Sequence, residues 1–227
     1  LDKTPVIVND GPGFLVNRLL APYLNEAGWL LSEGARIEDV DRALLDFGMP
    51  MGPFRLLDEV GLDVSRHVAG ILYEAFGDRM RPAPALVKLS ETARLGKKGG
   101  RGFFLFEGEK EKSVDETIYA ELGDAVPAER RPFDKRVIQE RCVLVMVNEA
   151  ARALEDGIVS DPGSVDLAMI TGTGFPPFRG GLLRYADALG VRTVLQKLEG
   201  YERELGVRFQ PAPLLRQYAE AGRGFYA

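Results

Sequence analysis

A polar turn that runs directly into a long helix is the most chemically suggestive stretch of the sequence. Residues 9–18 read Asn-Asp-Gly-Pro-Gly-Phe-Leu-Val-Asn-Arg. A helix N-terminus offers free backbone N–H groups and the positive end of a dipole, and both suit an oxygen-bearing ligand. Asn17 adds a neutral amide that donates and accepts hydrogen bonds. The segment therefore predicts a ligand site, unless Asn17 only bonds the local backbone of a helix start.

The residues after this turn have the spacing of a helix with one buried stripe. Apolar side chains recur at intervals of three and four from Val16 to Leu31, and Gly34 follows where a helix C-cap is expected. Segments 38–47, 62–76 and 84–95 resemble shorter helices, and no sustained alternation of apolar and polar residues indicates a sheet. The sequence predicts an all-α chain.

The chain also reads as two copies of one unit. Arg18 and Arg141 each precede an Asn-Glu-Ala triplet by seven residues, and the Asn-Glu pairs are expected to make interhelical hydrogen bonds. Other matches follow in the same order, including Gly-Asp-Gly at 52, 58 and 61 with 181, 187 and 190, and Arg-Gly-Phe at 101–103 with 223–225. Fusing two units that each expose an apolar face makes their association intramolecular. We expect two homologous helical bundles packed as an intramolecular pseudo-dimer.

The copies are not equivalent at the turn. The second copy reads Asp-Lys-Arg-Val-Ile-Gln-Glu at 134–140, without a Gly-Pro-Gly turn, and Glu140 stands where the first copy has Asn17. We place the first copy at residues 1–106 and the second at 134–227. Residues 107–133 are rich in Glu, Lys and Arg, and this composition predicts a charged linker or surface wrap that is too polar to form a core.

Bulk composition narrows the function classes. The 227 residues carry a net charge of −5 and one cysteine, so no basic field indicates nucleic acid and no internal disulfide can form. No apolar run approaches the roughly 20 residues of a membrane span. No spacing of His, Cys, Asp or Glu indicates a metal site. We expect a cytoplasmic protein and, since the first residue is not Met, a fragment of a longer chain.

Several loops resemble one enzyme family. The turn at 9–18, Gly-Met-Pro-Met-Gly-Pro-Phe at 48–54 and Gly-Lys-Lys-Gly-Gly-Arg-Gly-Phe-Phe at 96–104 resemble the C-terminal domain of L-3-hydroxyacyl-CoA dehydrogenases. Gly-Thr-Gly-Phe-Pro-Pro-Phe-Arg-Gly-Gly at 172–181 resembles the second C-terminal repeat of fatty-acid oxidation complex α-subunits. The resemblance implies a fold like the C-terminal domain of 6-phosphogluconate dehydrogenase. It also implies oxidation of L-3-hydroxyacyl-CoA to 3-ketoacyl-CoA in fatty-acid β-oxidation, with hydride passing to NAD.

The same resemblance implies what the chain lacks. The family binds NAD through a Rossmann domain with a strand, a G-x-G-x-x-G loop and a helix, and this unit is absent from the sequence. The family's catalytic His and Glu lie in that domain. We therefore expect no catalytic residue here, NAD bound mainly by the missing domain, and a chain that is inactive alone. An acyl-CoA substrate and a thiolase subunit are the implied partners.

The resemblance implies contacts with substrate or cofactor for three residues of this sequence. Asn17 matches a substrate-contacting Asn of the family, and Lys98 matches a lysine that contacts the cofactor. Thr171 stands where some α-subunits carry a substrate-contacting Tyr, and its short side chain weakens that expectation. The only histidine, His67, lies inside a predicted helix and is interpreted as structural or surface-exposed. Cys142 is assigned to core packing.

Two alternatives remain from the sequence. The chain could be a purely structural or dimerisation-type interaction module with no activity of its own. It could also be the C-terminal domain of a related β-hydroxyacid dehydrogenase that acts on a small acid.

Overall fold

The chain folds into two helical bundles with the same succession of elements. The computed structural model describes residues 4–108 and 110–226. The first bundle contains α1 (Val16–Ser32), α2 (Ile37–Phe47), α3 (Pro53–Val60), α4 (Leu62–Phe76) and α5 (Pro84–Leu89). Between the bundles lie β1 (Phe104–Glu107), β2 (Lys110–Val114) and α6 (Thr117–Leu122). The second bundle contains α7 (Lys135–Glu155), α8 (Pro162–Thr173), α9 (Leu182–Leu189), α10 (Val191–Leu205) and α11 (Pro213–Ala221).

The all-α prediction is confirmed, with one small addition. Strands β1 and β2 form an antiparallel hairpin in which Phe104 pairs with Val114 and Phe106 with Glu111. The hairpin has only four and five residues per strand, too short to give a clear alternating pattern. Within the described ranges, no helix is both long and apolar enough to cross a membrane.

Helices α1 and α7 form the centre of the molecule. They pack against each other along their lengths, and α2 also packs on α7. The apolar stripe predicted for α1 is buried at Leu19, Tyr23 and Leu30. Cys142 on α7 is fully buried, which confirms its role in core packing, and this burial raises the pKa of its thiol.

Arg18 of the first copy forms ion pairs with acidic residues of the second copy. Its Nε lies 2.7 Å from Glu149 Oε1, and its Nη2 lies 2.6 Å from Asp156 Oδ2. Arg79 adds a third contact, with Nε 3.2 Å from Glu149 Oε2. The side chain of Arg18 is only 2% exposed and that of Glu149 is 5% exposed, so neither charge has bulk water as a substitute partner. Because the start of α1 meets the end of α7, the two helices run antiparallel.

Arg141 makes the equivalent contacts from the second copy to the first. Its Nε lies 2.7 Å from Glu26 Oε1 and its Nη1 lies 2.7 Å from Glu33 Oε2, while Arg208 Nε lies 2.8 Å from Glu26 Oε2. Burial alone would lower the pKa of Arg141, but the carboxylates of Glu33 and Glu26 raise it above its usual value. Each copy thus supplies an arginine to the acids of the other, which gives the pair its two-fold character.

The repeated asparagines have a structural task. Asn25 donates to the carbonyl of Arg81 at 2.9 Å and accepts the N–H of Ala83 at 2.8 Å. Asn148 makes the same two bonds, at 2.8 Å each, with the residues before α11. These bonds tie α1 to the loop before α5 and α7 to the loop before α11. The interhelical hydrogen bonding expected of the repeated Asn-Glu pairs is confirmed for Glu26 and Glu149, whereas the two Asn side chains bond the backbone of loops.

The segment 107–133 is more structured than a linker. Although the segment is rich in charged residues, it also contains apolar residues spaced by four. Among these, Val114, Ile118 and Leu122 are buried in the core. Arg94 also binds it, with Nη1 2.8 Å from Asp115 Oδ2. The expectation that this segment is too polar for a core is therefore wrong for its apolar stripe. The exact boundaries of the two copies stay a prediction.

We expect Glu149→Gln to lower the free energy of unfolding by about 3 kcal/mol, because it removes the buried charge partner of Arg18 and leaves only the half-exposed Asp156. Urea denaturation followed by far-ultraviolet circular dichroism measures the change. The control is Glu91→Gln, which breaks the exposed Lys88–Glu91 pair and should cost less than about 1 kcal/mol. Equal losses for the two variants would contradict a special role for the buried pair.

Candidate functional site

The polar turn before α1 is held by the second copy. The backbone N–H of Asn9 donates to the carbonyl of Ile158 at 2.8 Å, and Asn9 Nδ2 donates to the carbonyl of Gly157 at 2.7 Å. Both acceptors lie just after α7. A turn of the first copy therefore takes its position from the end of the central helix of the second.

The turn has an unusual backbone at its tip. Gly13 has a φ of +74° and Phe14 a φ of +48°, and Phe14 is the non-glycine residue with positive φ in the part of the chain described. A Cβ at Gly13 would lie 3.0 Å from the Arg18 nitrogen and 3.1 Å from Leu72 Cδ2. Glycine is thus required by both conformation and space. The Phe14 ring remains 57% exposed.

Asn17 lies in the first turn of α1 with its side chain exposed. The N-cap position is Leu15, and no side chain caps this helix. Among the residues that the structure describes, no hydrogen bond of the Asn17 side chain is present. The alternative in which Asn17 only bonds its local backbone is therefore not what the structure shows, and the amide is free for a ligand.

A cavity of about 380 Å³ lies between α1, α3, α4 and α5. Asn17 lines it, and the lining continues along α1 to Asn25. At 1.5 Å per residue, these two positions are about 12 Å apart along the helix. The remaining lining is mostly apolar, and its main members are Leu20, Ala21, Leu24, Leu57, Val60, Leu62, Ser65, Val68, Ala69, Leu86 and Val87.

Helix α4 covers this cavity but is loosely packed. Only Leu62 and Leu72 of α4 are buried. The helix is joined to α5 and its following loop by two long hydrogen bonds, from Leu62 N to the carbonyl of Leu95 at 3.4 Å and from Arg66 Nη1 to the carbonyl of Ser90 at 3.2 Å. His67 is exposed on α4, in agreement with its interpretation as a surface residue.

Lys98 lies beside the same cavity. Its Nζ is 2.5 Å from Asp63 Oδ1, near the start of α4, and a Cβ at Gly61 would lie 3.2 Å from Nζ. Gly61 stands between two residues of the cavity lining. The hydrogen bond from Lys98 lowers the pKa of Asp63, so the ammonium faces an ionised carboxylate. A phosphate would have to compete with Asp63, and cofactor contact by Lys98 stays a prediction.

Asp58 holds the loop that carries Lys98. It accepts the N–H groups of Phe103 and Phe104, both at 2.9 Å, and a Cβ at Gly102 would overlap its carboxylate. Burial raises the pKa of Asp58 to about 6, although these two N–H groups act in the opposite direction. Asp187 makes the same pair of bonds in the second copy. The loop is thus a feature of the shared fold.

Thr171 is exposed on α8, and its Oγ1 donates to the carbonyl of Leu167 at 2.7 Å. The next residue, Gly172, packs on Val16, with a Cβ at that glycine 3.1 Å from Val16 Cγ2. Thr171 therefore lies near the start of α1 but does not line the cavity. Its contact with substrate stays a prediction.

Sequence reasoning identified Asn17 but not the cavity beside it. The repeat gives no clear signal for the cavity, because the first copy has the smaller residue at some lining positions, such as Ala21 against Leu144, and the larger one at others, such as Leu57 against Ala186. The described ranges contain no group of three His, Cys, Asp or Glu side chains that could hold a metal ion.

We expect Gly102→Ala to destabilise the chain by about 1–3 kcal/mol and to displace the Lys98 loop, because the added methyl overlaps the Asp58 carboxylate. Thermal unfolding measures the loss. Gly200→Ala is the control, since this partly buried helical glycine of α10 has room for a Cβ, and the change should stabilise the chain by about 0.4–1 kcal/mol. A neutral Gly102→Ala would contradict the close packing at Asp58.

Comparisons with known proteins identify the family of this chain. The model of the 3-hydroxyacyl-CoA dehydrogenase C-terminal domain matches residues 13–105 and 138–224. The chain is 46% identical to the fatty acid oxidation complex subunit alpha of Shewanella amazonensis and 45% identical to that of Shewanella halifaxensis. Each match covers 99% of the chain and 32% of the relative, so the chain spans about a third of these relatives.

Solved structures show the same fold. The 3-hydroxybutyryl-CoA dehydrogenase of Escherichia coli matches with a TM-score of 0.76 and 26% identity, over 97% of this chain and 62% of that one. The dehydrogenase part of multifunctional enzyme 1 from C. elegans matches with a TM-score of 0.69 and 22% identity, over 95% of this chain and 50% of that one, and supports the fold alone. With both copies matched by the family model, the chain belongs to the 3-hydroxyacyl-CoA dehydrogenase C-terminal domain family.

Proposed function

We propose that this chain is the C-terminal part of an NAD-dependent 3-hydroxyacyl-CoA dehydrogenase. The enzyme oxidises L-3-hydroxyacyl-CoA to 3-ketoacyl-CoA in fatty-acid β-oxidation. The observation that carries the proposal is Asn17, whose unbonded amide stands at one end of an apolar cavity in a member of this family. The names of the Shewanella and Escherichia coli relatives support the substrate class.

The role of Asn17 is to orient the substrate. Its neutral amide can donate a hydrogen bond to the C3 oxygen or to the thioester carbonyl without placing a competing charge beside them. An amide cannot accept the hydroxyl proton at neutral pH, so the general base belongs to another part of the enzyme. Because the general base lies elsewhere, we expect the chain alone to be inactive.

Lys98 is proposed to contact the cofactor. When bound, NAD supplies the acceptor for the hydride that leaves C3. The half-exposed ammonium of Lys98 can reach a phosphate or ribose oxygen by exchanging its partner Asp63, and most of the cofactor site lies outside this chain. Thr171 is proposed as a weaker substrate contact from the second copy, after release of its bond to Leu167.

The organisation of the chain follows from the same proposal. Residues 1–106 and 134–227 are the two C-terminal repeats, and residues 107–133 connect them. The relatives are named as subunits of an oxidation complex, which supports assembly with a second subunit, proposed to be a thiolase, in the cytoplasm.

The two alternatives explain less of the structure. A purely structural module accounts for the symmetric ion pairs but not for an unbonded Asn17 that only the first copy carries. A dehydrogenase for a small acid leaves the apolar cavity of about 380 Å³ without a purpose.

In the complete enzyme, we expect Asn17→Ala to lower kcat on the order of a hundredfold, because the transition state loses a positioned hydrogen-bond donor. Steady-state NADH formation from 3-hydroxyacyl-CoA measures the effect. The control is Glu140→Gln at the equivalent position of the second copy, which should leave kcat within about twofold. Unchanged kcat and KM for Asn17→Ala would favour the purely structural module.

A further inference from the structure

We propose that Asp63 positions the ammonium of Lys98 at the corner between α3 and α4 and competes with the cofactor for it. This inference rests on the proposed function, in which Lys98 contacts NAD, and adds a residue that governs that contact. Asp63 acts as an internal substitute for a cofactor oxygen. Its carboxylate holds Lys98 in the free enzyme and regains it when the cofactor leaves.

The Lys98 ammonium lies on the corner between the two helices. Its Nζ is 2.5 Å from Asp63 Oδ1, and a Cβ at Gly61 would lie 3.2 Å from Nζ and 3.3 Å from the neighbouring Cε. Gly61 joins α3 to α4 with a φ of +97°, so the end of the lysine passes over a residue with no side chain. Val60 and Leu62, on either side of Gly61, line the cavity. The ammonium therefore lies at the edge of the candidate site.

The loop that carries Lys98 does not depend on Asp63 for its shape. Its turn is closed by a hydrogen bond from the N–H of Gly99 to the carbonyl of Gly96 at 3.0 Å. Asp58 holds the residues that follow the turn, and a Cβ at Gly96 would lie 2.5 Å from the Asp58 carbonyl oxygen. Because the loop is fixed by these contacts, its folding does not explain the pair between Lys98 and Asp63.

The electrostatics at the start of α4 favour the acid and disfavour the lysine. Asp63 is the second residue of α4, where the positive end of the helix dipole stabilises a carboxylate and opposes an ammonium. The hydrogen bond from Lys98 lowers the pKa of Asp63, so the carboxylate is ionised at neutral pH. Loss of this carboxylate would leave the ammonium beside a helix end that repels it, and Lys98 would turn away from α4.

The second copy lacks the turn that carries the lysine. Pro84, which begins α5, lies 17 positions before Arg101. Pro213, which begins α11, lies only 10 positions before Arg223. The shorter connection has no counterpart of the Lys-Lys turn at 97–98, although the Arg-Gly-Phe that follows is the same in both copies.

The second copy lacks the acid as well. Arg192 stands at the position of Asp63, and its Nη2 donates to the carbonyl of Ala219 at 3.4 Å. The shared fold therefore forms without an acid at this position. Lysine and acid occur together in the copy that carries Asn17 and are absent together from the other, as expected of a pair that serves the site.

Binding of the cofactor requires an exchange of partners. The side chains of Lys98 and Asp63 are each about half exposed, so a phosphate or ribose oxygen can reach the ammonium and replace the carboxylate. An ion pair as exposed as this one changes an equilibrium constant by up to about fivefold. The cofactor is thus held less tightly than Lys98 would otherwise hold it, which favours its release, a step that limits turnover in many enzymes.

The test is Asp63→Asn in the complete enzyme, with NADH binding followed by its fluorescence. An amide competes more weakly than a carboxylate for an ammonium, so the dissociation constant should fall roughly two- to fivefold. Most of the change should appear in the dissociation rate, measured by stopped-flow displacement. In a Lys98→Met background, the same substitution should have no effect on NADH binding.

Glu59→Gln is the matched control. It removes the same charge from the same corner, but Glu59 Oε2 binds Lys97 Nζ at 3.1 Å and not Lys98. NADH binding should therefore stay unchanged in this variant. Equal tightening by Glu59→Gln would show a general effect of net charge, and tightening by Asp63→Asn without the Lys98 ammonium would show a different route. Either result overturns the proposal.

A second ligand separates the two sources of a phosphate. Acetoacetyl-CoA also carries phosphates, and its binding, measured by calorimetry, should be the same with and without Asp63→Asn. Tightening of this thioester in place of NADH would overturn the assignment to the cofactor. An unaltered enzyme that binds no NADH would refute the proposed function itself, whereas NADH binding that Asp63→Asn leaves unchanged would refute only the role of Asp63.

Discussion

The crossed ion pairs between α1 and α7 are the constraint on which the rest of the structure depends. A buried arginine is tolerated only where a carboxylate faces it with good geometry. Arg18 finds its acid on the second copy and Arg141 finds its acid on the first, so neither copy can satisfy its arginine alone. An antiparallel arrangement of α1 and α7 in one register satisfies both pairs at once. Association of the copies is therefore part of folding.

The same constraint positions the candidate site. Arg18 directly follows Asn17, and its bond to Glu149 fixes the rotation of α1 about its axis. Successive helical residues point about a quarter-turn apart, so Asn17 faces the cavity once Arg18 faces α7. The turn before α1 is fixed on Gly157 and Ile158 of the second copy. A residue of one copy thus takes its geometry from the other.

The fold was largely predictable because its periodicities and repeats are local in the sequence. The apolar stripe of α1, the matched Arg and Asn-Glu residues and the two bundles all follow from spacing. The β1–β2 hairpin was missed because its strands are short and mostly exposed. The buried stripe from Val114 to Val126 was missed because the charged residues around it dominate the composition of that segment.

The site was predictable only in part. Asn17 followed from a turn and a resemblance, whereas the cavity depends on how far α4 stands from α1. That separation depends on the packing of several helices together, and no single residue predicts it. Lys98 could be placed on its loop, but its pairing with Asp63 depends on the approach of two distant segments.

The most direct test of whether the two copies fold as one unit uses the chain's single tryptophan and single cysteine. Trp29 lies on α1 in contact with Arg208 of the second copy, and Cys142 is buried on α7. Urea unfolding can be followed by Trp29 fluorescence and, in parallel, by reaction of the Cys142 thiol with a chromogenic disulfide. If the copies fold as one cooperative unit, the two midpoints coincide. A Trp29 transition at a clearly different urea concentration from the exposure of Cys142 would show that the copies are stable separately.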